Sequence, residues 1–124
     1  MSADELKRIL VVEDDAVNRI LMTSLLKDKY ELVMAEDIQA GQEVLGETPV
    51  ELVLLDLSLS QKEDGLELVK FIRGNDALAS LPVIIVTAHV NKRSQDLAME
   101  GGGDAFIPKP VDRTLLLETI ASFI

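Results

Sequence analysis

Leu52-Val53-Leu54-Leu55 is an unbroken apolar run, and the residue that follows it is Asp56. Successive side chains of a strand point to opposite faces, so this run is apolar on both and needs cover on both. Working outward, Ile9-Leu10-Val11-Val12 and Val83-Ile84-Ile85-Val86 have the same character. Glu31-Leu32-Val33-Met34-Ala35 reads as a weaker second strand and Ala105-Phe106-Ile107 as a fifth. Amphipathic stretches separate the strands. Residues 16–28 carry Val17, Ile20, Leu21, Leu25 and Leu26, offsets that predict one buried stripe on one helix. Asp37 is placed to cap a second helix, with Ile38, Val44 and Leu45, which Pro49 ends. Asp64-Gly65 opens a third, bearing Leu66, Leu68, Val69 and Ile72. A polar helix is expected over 92–99, before Gly101-Gly102-Gly103, and Asp112 caps a last one with Leu115, Leu116, Ile120 and Phe123. The pattern is five βα units. Right-handed crossovers then give an open, parallel, doubly wound α/β sheet.

No linker, low-complexity tract or repeat interrupts the pattern, so the 124 residues are expected to form one domain over 1–124 with no output domain. The polar start, Met1-Ser2-Ala3, favours a stand-alone protein over a piece of a larger one. The chain has no Cys, which excludes disulfides, thiolate zinc sites and cysteine nucleophiles and fits a reducing cytoplasm. No apolar run approaches membrane-spanning length. A formal net charge of −10 disfavours direct contact with nucleic acid or anionic membranes and suits cations or basic protein partners.

In doubly wound sheets ligands bind beyond the carboxyl ends of the strands. Glu13, Asp14 and Asp15 follow the first strand, Asp56 the third, Thr87, Ala88 and His89 the fourth, and Lys109, between Pro108 and Pro110, the fifth. Three of these ends are expected side by side. Carboxylates converging there repel unless protons or a cation compensate, and an oxygen-only ligand set with room for water suits Mg²⁺. With a lysine and a hydroxyl beside them, such groups can hold a phosphoryl group, and a carboxylate can accept it as nucleophile. Asp15 is read instead as the cap of the first helix.

With these residues in view, the sequence resembles the receiver domains of two-component response regulators over essentially its whole length. The likeness rests on Val12-Glu13-Asp14, Leu55-Asp56, Asp64-Gly65, Val86-Thr87-Ala88 and Pro108-Lys109-Pro110, in that order and spacing. It implies a flavodoxin-like sheet of strand order 2-1-3-4-5. It implies Asp56 as phosphoacceptor and Mg²⁺, with Mn²⁺ as a substitute, held by Asp14, by Glu13 through water, by Asp56 and by the backbone carbonyl of Ser58. Lys109 would contact Asp56 and then a phosphoryl oxygen. Thr87 would donate its hydroxyl to that group and move toward it. Phe106 matches the aromatic switch position, against the plainer reading as core. The Lys109-Pro110 bond is expected to be cis. His89 stands where the family tunes dephosphorylation, though a polar loop residue is the preferred reading. The partners implied are a sensor histidine kinase or histidine phosphotransfer domain as donor and a downstream protein target. Phosphorylation would alter the face of the fourth helix, fifth strand and fifth helix and could drive dimerisation. Two departures stand out: Ser60 where a Pro is usual, and a 58–63 loop one residue longer than common, with Gln61, Lys62 and Glu63 in it.

Other readings fit less well. An aspartyl-phosphate hydrolase of similar sheet would carry a second Asp two residues after its nucleophile, where this chain has Ser58. A flavin- or nucleotide-binding module lacks its glycine-rich or GK[ST] loop. A degenerate receiver serving only as a binding scaffold has no need of the full acid, hydroxyl and lysine set. The chain is therefore expected to be a cytoplasmic phosphoaccepting switch, with self-phosphorylation and autodephosphorylation chemistry but no enzymatic turnover of its own.

Overall fold

The computed structural model describes residues 6–56, 65–88 and 92–124. Five strands alternate with five helices: β1 (Arg8–Val12), α1 (Ala16–Leu26), β2 (Glu31–Ala35), α2 (Ile38–Glu47), β3 (Leu52–Asp56), α3 (Leu66–Arg73), β4 (Val83–Thr87), α4 (Lys92–Glu100), β5 (Ala105–Pro108) and α5 (Arg113–Ala121). The sheet is parallel throughout, in the order β2-β1-β3-β4-β5. This is the expected doubly wound, flavodoxin-like topology. β3 and β4 are buried along their whole length, which is why their sequences are apolar on both faces.

The pleat divides the core in two. Leu10, Val12, Val53, Leu55, Val83 and Ile85 face α2, α3 and α4, where Leu45, Leu68, Val69, Ile72 and Ala98 meet them. Ile9, Val11, Leu52, Leu54, Ile84 and Ile107 face α1 and α5, against Met22, Leu26, Leu116 and Ile120. Asp15, Asp37 and Asp112 cap α1, α2 and α5, accepting from Val17 N–H at 3.0 Å, Ala40 N–H at 2.7 Å and Leu115 N–H at 2.8 Å. Each satisfies a backbone donor that the first helical turn leaves unpaired.

The structure corrects the expected stripe on α1. Met22 and Leu26 are the buried pair, one turn apart, with Leu25 half-buried beside them. Val17 and Ile20 are each 70% exposed and Leu21 is 49% exposed. The helix is apolar on more than one side, so the spacing alone did not tell which side meets the sheet. The helix also ends at Leu26, where Lys29 and Tyr30 N–H both turn back onto the Leu26 carbonyl. α5 closes at Ala121, leaving Phe123 beyond it and exposed.

Away from the carboxyl ends of the strands, Arg73 ties three segments together. Its guanidinium donates to the carbonyls of Ala79, Leu81 and Gly102 and to Asp104 Oδ2. Gly102 has φ +111°, and a Cβ there would sit 3.0 Å from Val69 Cγ1 and 3.2 Å from Arg73 Cγ. Glycine is required there by its backbone and by the side chains packed against it.

Candidate functional site

Register builds the site. Val12 pairs with Leu55 across β1 and β3, so Glu13 and Asp56, each one residue further on, come out on adjacent strands. Strands lie about 4.8 Å apart, and two carboxylates at that spacing repel. Both continue the rows of Val11 and Leu54 that face α1, and Met22 of that helix lines the small space beneath them. Both are buried: Glu13 is 3% and Asp56 4% exposed. Asp14, the next residue along the β1–α1 turn, is exposed. Carboxylate oxygens of Glu13, Asp14 and Asp56 all lie within 4.8 Å of one another.

Lys109 comes to this cluster from β5. Thr87 pairs with Pro108, and Lys109 N–H donates to the Thr87 carbonyl at 2.9 Å. The lysine side chain passes over the end of β4 to β3, where Nζ donates to Asp56 Oδ2 at 2.6 Å and to Glu13 Oε1 at 3.3 Å. The Lys109-Pro110 peptide bond is cis, as expected. Thr87 is completely buried at the end of β4, in the row of Val83 and Ile85, one residue past the Val86 that pairs with Asp56. Phe106 is half-buried opposite Ile85 and packs on the same side of the sheet. Asp15 turns its carboxylate onto the first turn of α1.

The structure thus gathers Glu13, Asp14, Asp56 and Lys109 around one point and puts Thr87 at the neighbouring strand end. Ser58, Ser60, the rest of the 58–63 loop, Asp64 and His89 lie outside the described residues. Arg19 had drawn no notice in the sequence. Its Nη1 donates to the Glu13 carbonyl at 2.8 Å from the end of the first turn of α1. Its partner is a main-chain carbonyl, so no residue type in the sequence marks the contact.

Electrostatics explain what the cluster needs. Burial, a hydrogen bond with the Asp56 carboxyl and the charge of Asp56 push the Glu13 carboxyl up to about 8, while the Asp15 N–H and Lys109 pull the other way. For Lys109 burial disfavours the charge, but its hydrogen bond to Asp56 and the charges of Asp56 and Glu13 prevail and hold the ammonium above its usual range. Three ionised carboxylates against one ammonium leave two negative charges. A proton on Glu13 relieves part of that; a divalent cation relieves all of it. The donor chemistry, carboxylate oxygen throughout, fits a hard cation of the Mg²⁺ type. Beside the cluster, a hollow of about 430 Å³ opens between Asn18, Leu21 and Met22 on one side and Ala88, Lys109 and Pro110 on the other.

Residues 9–121 match the family described as the response regulator receiver domain. The polar-differentiation response regulator DivK of Brucella anthropi is 31% identical over 119 residues, covering 95% of this chain and 96% of the relative. A response regulator receiver protein of Pseudomonas putida shares the fold with a TM-score of 0.85 at 30% identity, over 97% of this chain and 99% of that one. The receiver domain of the sensor histidine kinase PA1611 of Pseudomonas aeruginosa PAO1, whose structure has a magnesium ion coordinated in its active-site cleft, superimposes with a TM-score of 0.87 at 22% identity, over 96% and 98% of the two chains.

Proposed function

Because the chain belongs to the response regulator receiver domain family, we propose that it is a phosphorylation switch in which Asp56 accepts the phosphoryl group in a reaction that depends on Mg²⁺. The observation that carries this reading is the contact of Lys109 Nζ with Asp56 Oδ2 at 2.6 Å, inside a group of three carboxylates within 4.8 Å of one another. Asp14, Asp56 and, through water, Glu13 would hold the ion, joined by the Ser58 carbonyl. Bound there, Mg²⁺ supplies positive charge to the phosphoryl oxygens; Mn²⁺ has the same donor preference.

The chain's own residues do the rest. A carboxylate oxygen of Asp56 attacks phosphorus in line as the bond from phosphorus to the donor breaks, and the donor atom leaves with that electron pair. The product is an acyl phosphate on Asp56. The Lys109 ammonium, already on Asp56, is placed to pair with a phosphoryl oxygen as charge moves outward. The Thr87 hydroxyl donates a second hydrogen bond, and Phe106, packed on Thr87's side of the sheet, follows its movement. Binding the phosphoryl group better in one arrangement than in the other shifts a two-state equilibrium and changes the face of α4, β5 and α5. Leu97, Met99 and Leu115 give these two helices exposed apolar surface for a downstream protein or a second copy of the chain. Later attack of water on phosphorus releases phosphate and restores the carboxylate.

Asp56 is 4% exposed, and Lys109, in contact with it, lines the hollow. The hollow gives a phosphoryl donor one approach to Asp56 past Lys109, and a phosphohistidine on a kinase or phosphotransfer domain suits it. Among the described residues no helix is long and apolar enough to cross a membrane.

Intact-mass measurement after acetyl phosphate and Mg²⁺ tests the reading. One phosphoryl adduct is expected on the wild type, none on Asp56→Asn and none after chelation. Thr87→Ala is expected to keep the adduct and lose most of the accompanying change in amide exchange on α4 and β5. An adduct that survives Asp56→Asn at full yield would refute Asp56 as the acceptor.

A further inference from the structure

Resting on the reading of the carboxylate cluster as a Mg²⁺ site, we infer that Arg19 is a positioning residue for that site, holding the turn that carries Glu13 and Asp14 from behind. The contact runs from Arg19 Nη1 to the main-chain carbonyl of Glu13 at 2.8 Å. Arg19 therefore binds the backbone of the acidic turn and leaves the carboxylates to their own partners.

The turn is short and crowded. Three acids follow one another at 13, 14 and 15 between the end of β1 and the start of α1. Glu13 is fixed by its N–H to the Ala35 carbonyl at 2.9 Å, by Asp15 N–H to its Oε2 at 3.2 Å and by Lys109 to its Oε1. Asp15 is fixed by its cap to Val17 N–H, and its carbonyl accepts from Arg19 N–H at 2.9 Å. Between them runs the Glu13–Asp14 peptide unit, whose plane sets the direction of the Asp14 side chain. Asp14 is exposed, so packing does little to aim it. A planar trans peptide carries its C=O and N–H on opposite sides. With the carbonyl drawn to Arg19, the Asp14 N–H must point away from α1, and the plane is set.

Charge works in the same direction. The guanidinium keeps its proton at any pH of interest and brings a permanent positive charge to a turn with three acids. A hydrogen bond from a charged donor is stronger than a neutral one. Arg19 therefore opposes both the rotation of the peptide and the mutual repulsion that would open the turn. A bound ion needs its ligands already in place, and partners outside the ligand set commonly change metal affinity about 10- to 100-fold.

The test compares Mg²⁺ affinity, by calorimetry, with the melting temperature in EDTA for four proteins: wild type, Arg19→Met, Arg19→Lys and Thr23→Ala. Methionine keeps an unbranched apolar stem and removes the donor. Lysine restores charge and one donor. Thr23→Ala removes a different bond on the same helix, from Thr23 Oγ1 to the Arg19 carbonyl at 2.8 Å, and controls for loosening of α1. Arg19→Met is expected to weaken Mg²⁺ binding about 10-fold, Arg19→Lys less, and Thr23→Ala by less than twofold, whatever each does to melting. The inference is overturned if Arg19→Met binds within twofold of wild type, or if Thr23→Ala weakens binding as much. Either result leaves the phosphoswitch intact, since the wild type still binds the ion. A wild type that takes up no Mg²⁺ overturns both.

Discussion

Glu13 keeps its proton to about pH 8 in the metal-free protein, first because it is buried and then because Asp56 lies beside it. In the unfolded chain the same carboxyl ionises near its ordinary value of 4.5. Between these limits the folded state binds one proton more than the unfolded state. The sign follows from linkage: where the native state holds the extra proton, stability falls as pH rises. This group therefore costs stability progressively from above pH 4.5 to about 8, and the cost stays in place above that. Glu13→Gln removes the titration but keeps an oxygen that can accept from Lys109. In EDTA the variant is expected to gain on the wild type steadily between pH 5 and 8, read as the difference in urea midpoints. Parallel midpoints across that range would show that Glu13 ionises normally. Lys109 adds no slope in this window, because its raised value lies above it. The Asp56 and Lys109 positions were legible in the sequence because Asp56 directly follows the run Leu52–Leu55 and Lys109 stands just past Ala105-Phe106-Ile107-Pro108, at the carboxyl ends of strands where a doubly wound sheet has its ligand edge. Arg19 was not, because its partner is a backbone carbonyl and main-chain acceptors leave no trace in residue type.

At the scale of elements, α1 shows where periodicity stops informing. Val17, Ile20 and Leu21 are as apolar as Met22, Leu25 and Leu26, yet the first three face outward and only Met22 and Leu26 are fully buried. Spacing gives a helix; which side it turns to the sheet depends on where Asp15 caps it and where the chain must re-enter at β2. α3 was read more easily, since Leu68, Val69 and Ile72 form a single apolar side, and all three are buried. The assignment on α1 has a direct thermodynamic consequence. Leu26→Ala removes a side chain with no exposure, from the core facing α1 and α5, and is expected to cost about 2–5 kcal/mol. Ile20→Ser alters a side chain that is 70% exposed and is expected to cost about 0.5 kcal/mol or less. Urea denaturation of the two variants distinguishes them, and a large loss for Ile20→Ser would mean that α1 is rotated from the orientation described.

For the whole molecule, the five strands were legible because each one shows in the sequence as a short apolar run, and strand order followed from family likeness rather than from the runs. The register that makes Glu13 and Asp56 neighbours was legible only to the extent that the strand ends were. The structure extends β3, β4 and β5 one residue further than their apolar runs, to Asp56, Thr87 and Pro108, so polar or helix-breaking ends disguised the last rung of each ladder. A net charge of −10 adds a global term to the local one. Like charges spread over a small domain destabilise its compact form, and the Debye length of about 30 Å at 0.01 M salt lets most of them interact. Raising NaCl to about 0.5 M shrinks that length to roughly 4 Å, so the melting temperature is expected to climb and then level off. On that plateau about 5 mM MgCl₂ hardly changes screening, and a further rise must come from binding to the native state. Wild type is expected to show that second rise and Asp14→Asn to lose most of it, while both show the same first rise. An equal second rise in Asp14→Asn would place Mg²⁺ on the diffuse acidic surface instead of among Glu13, Asp14 and Asp56.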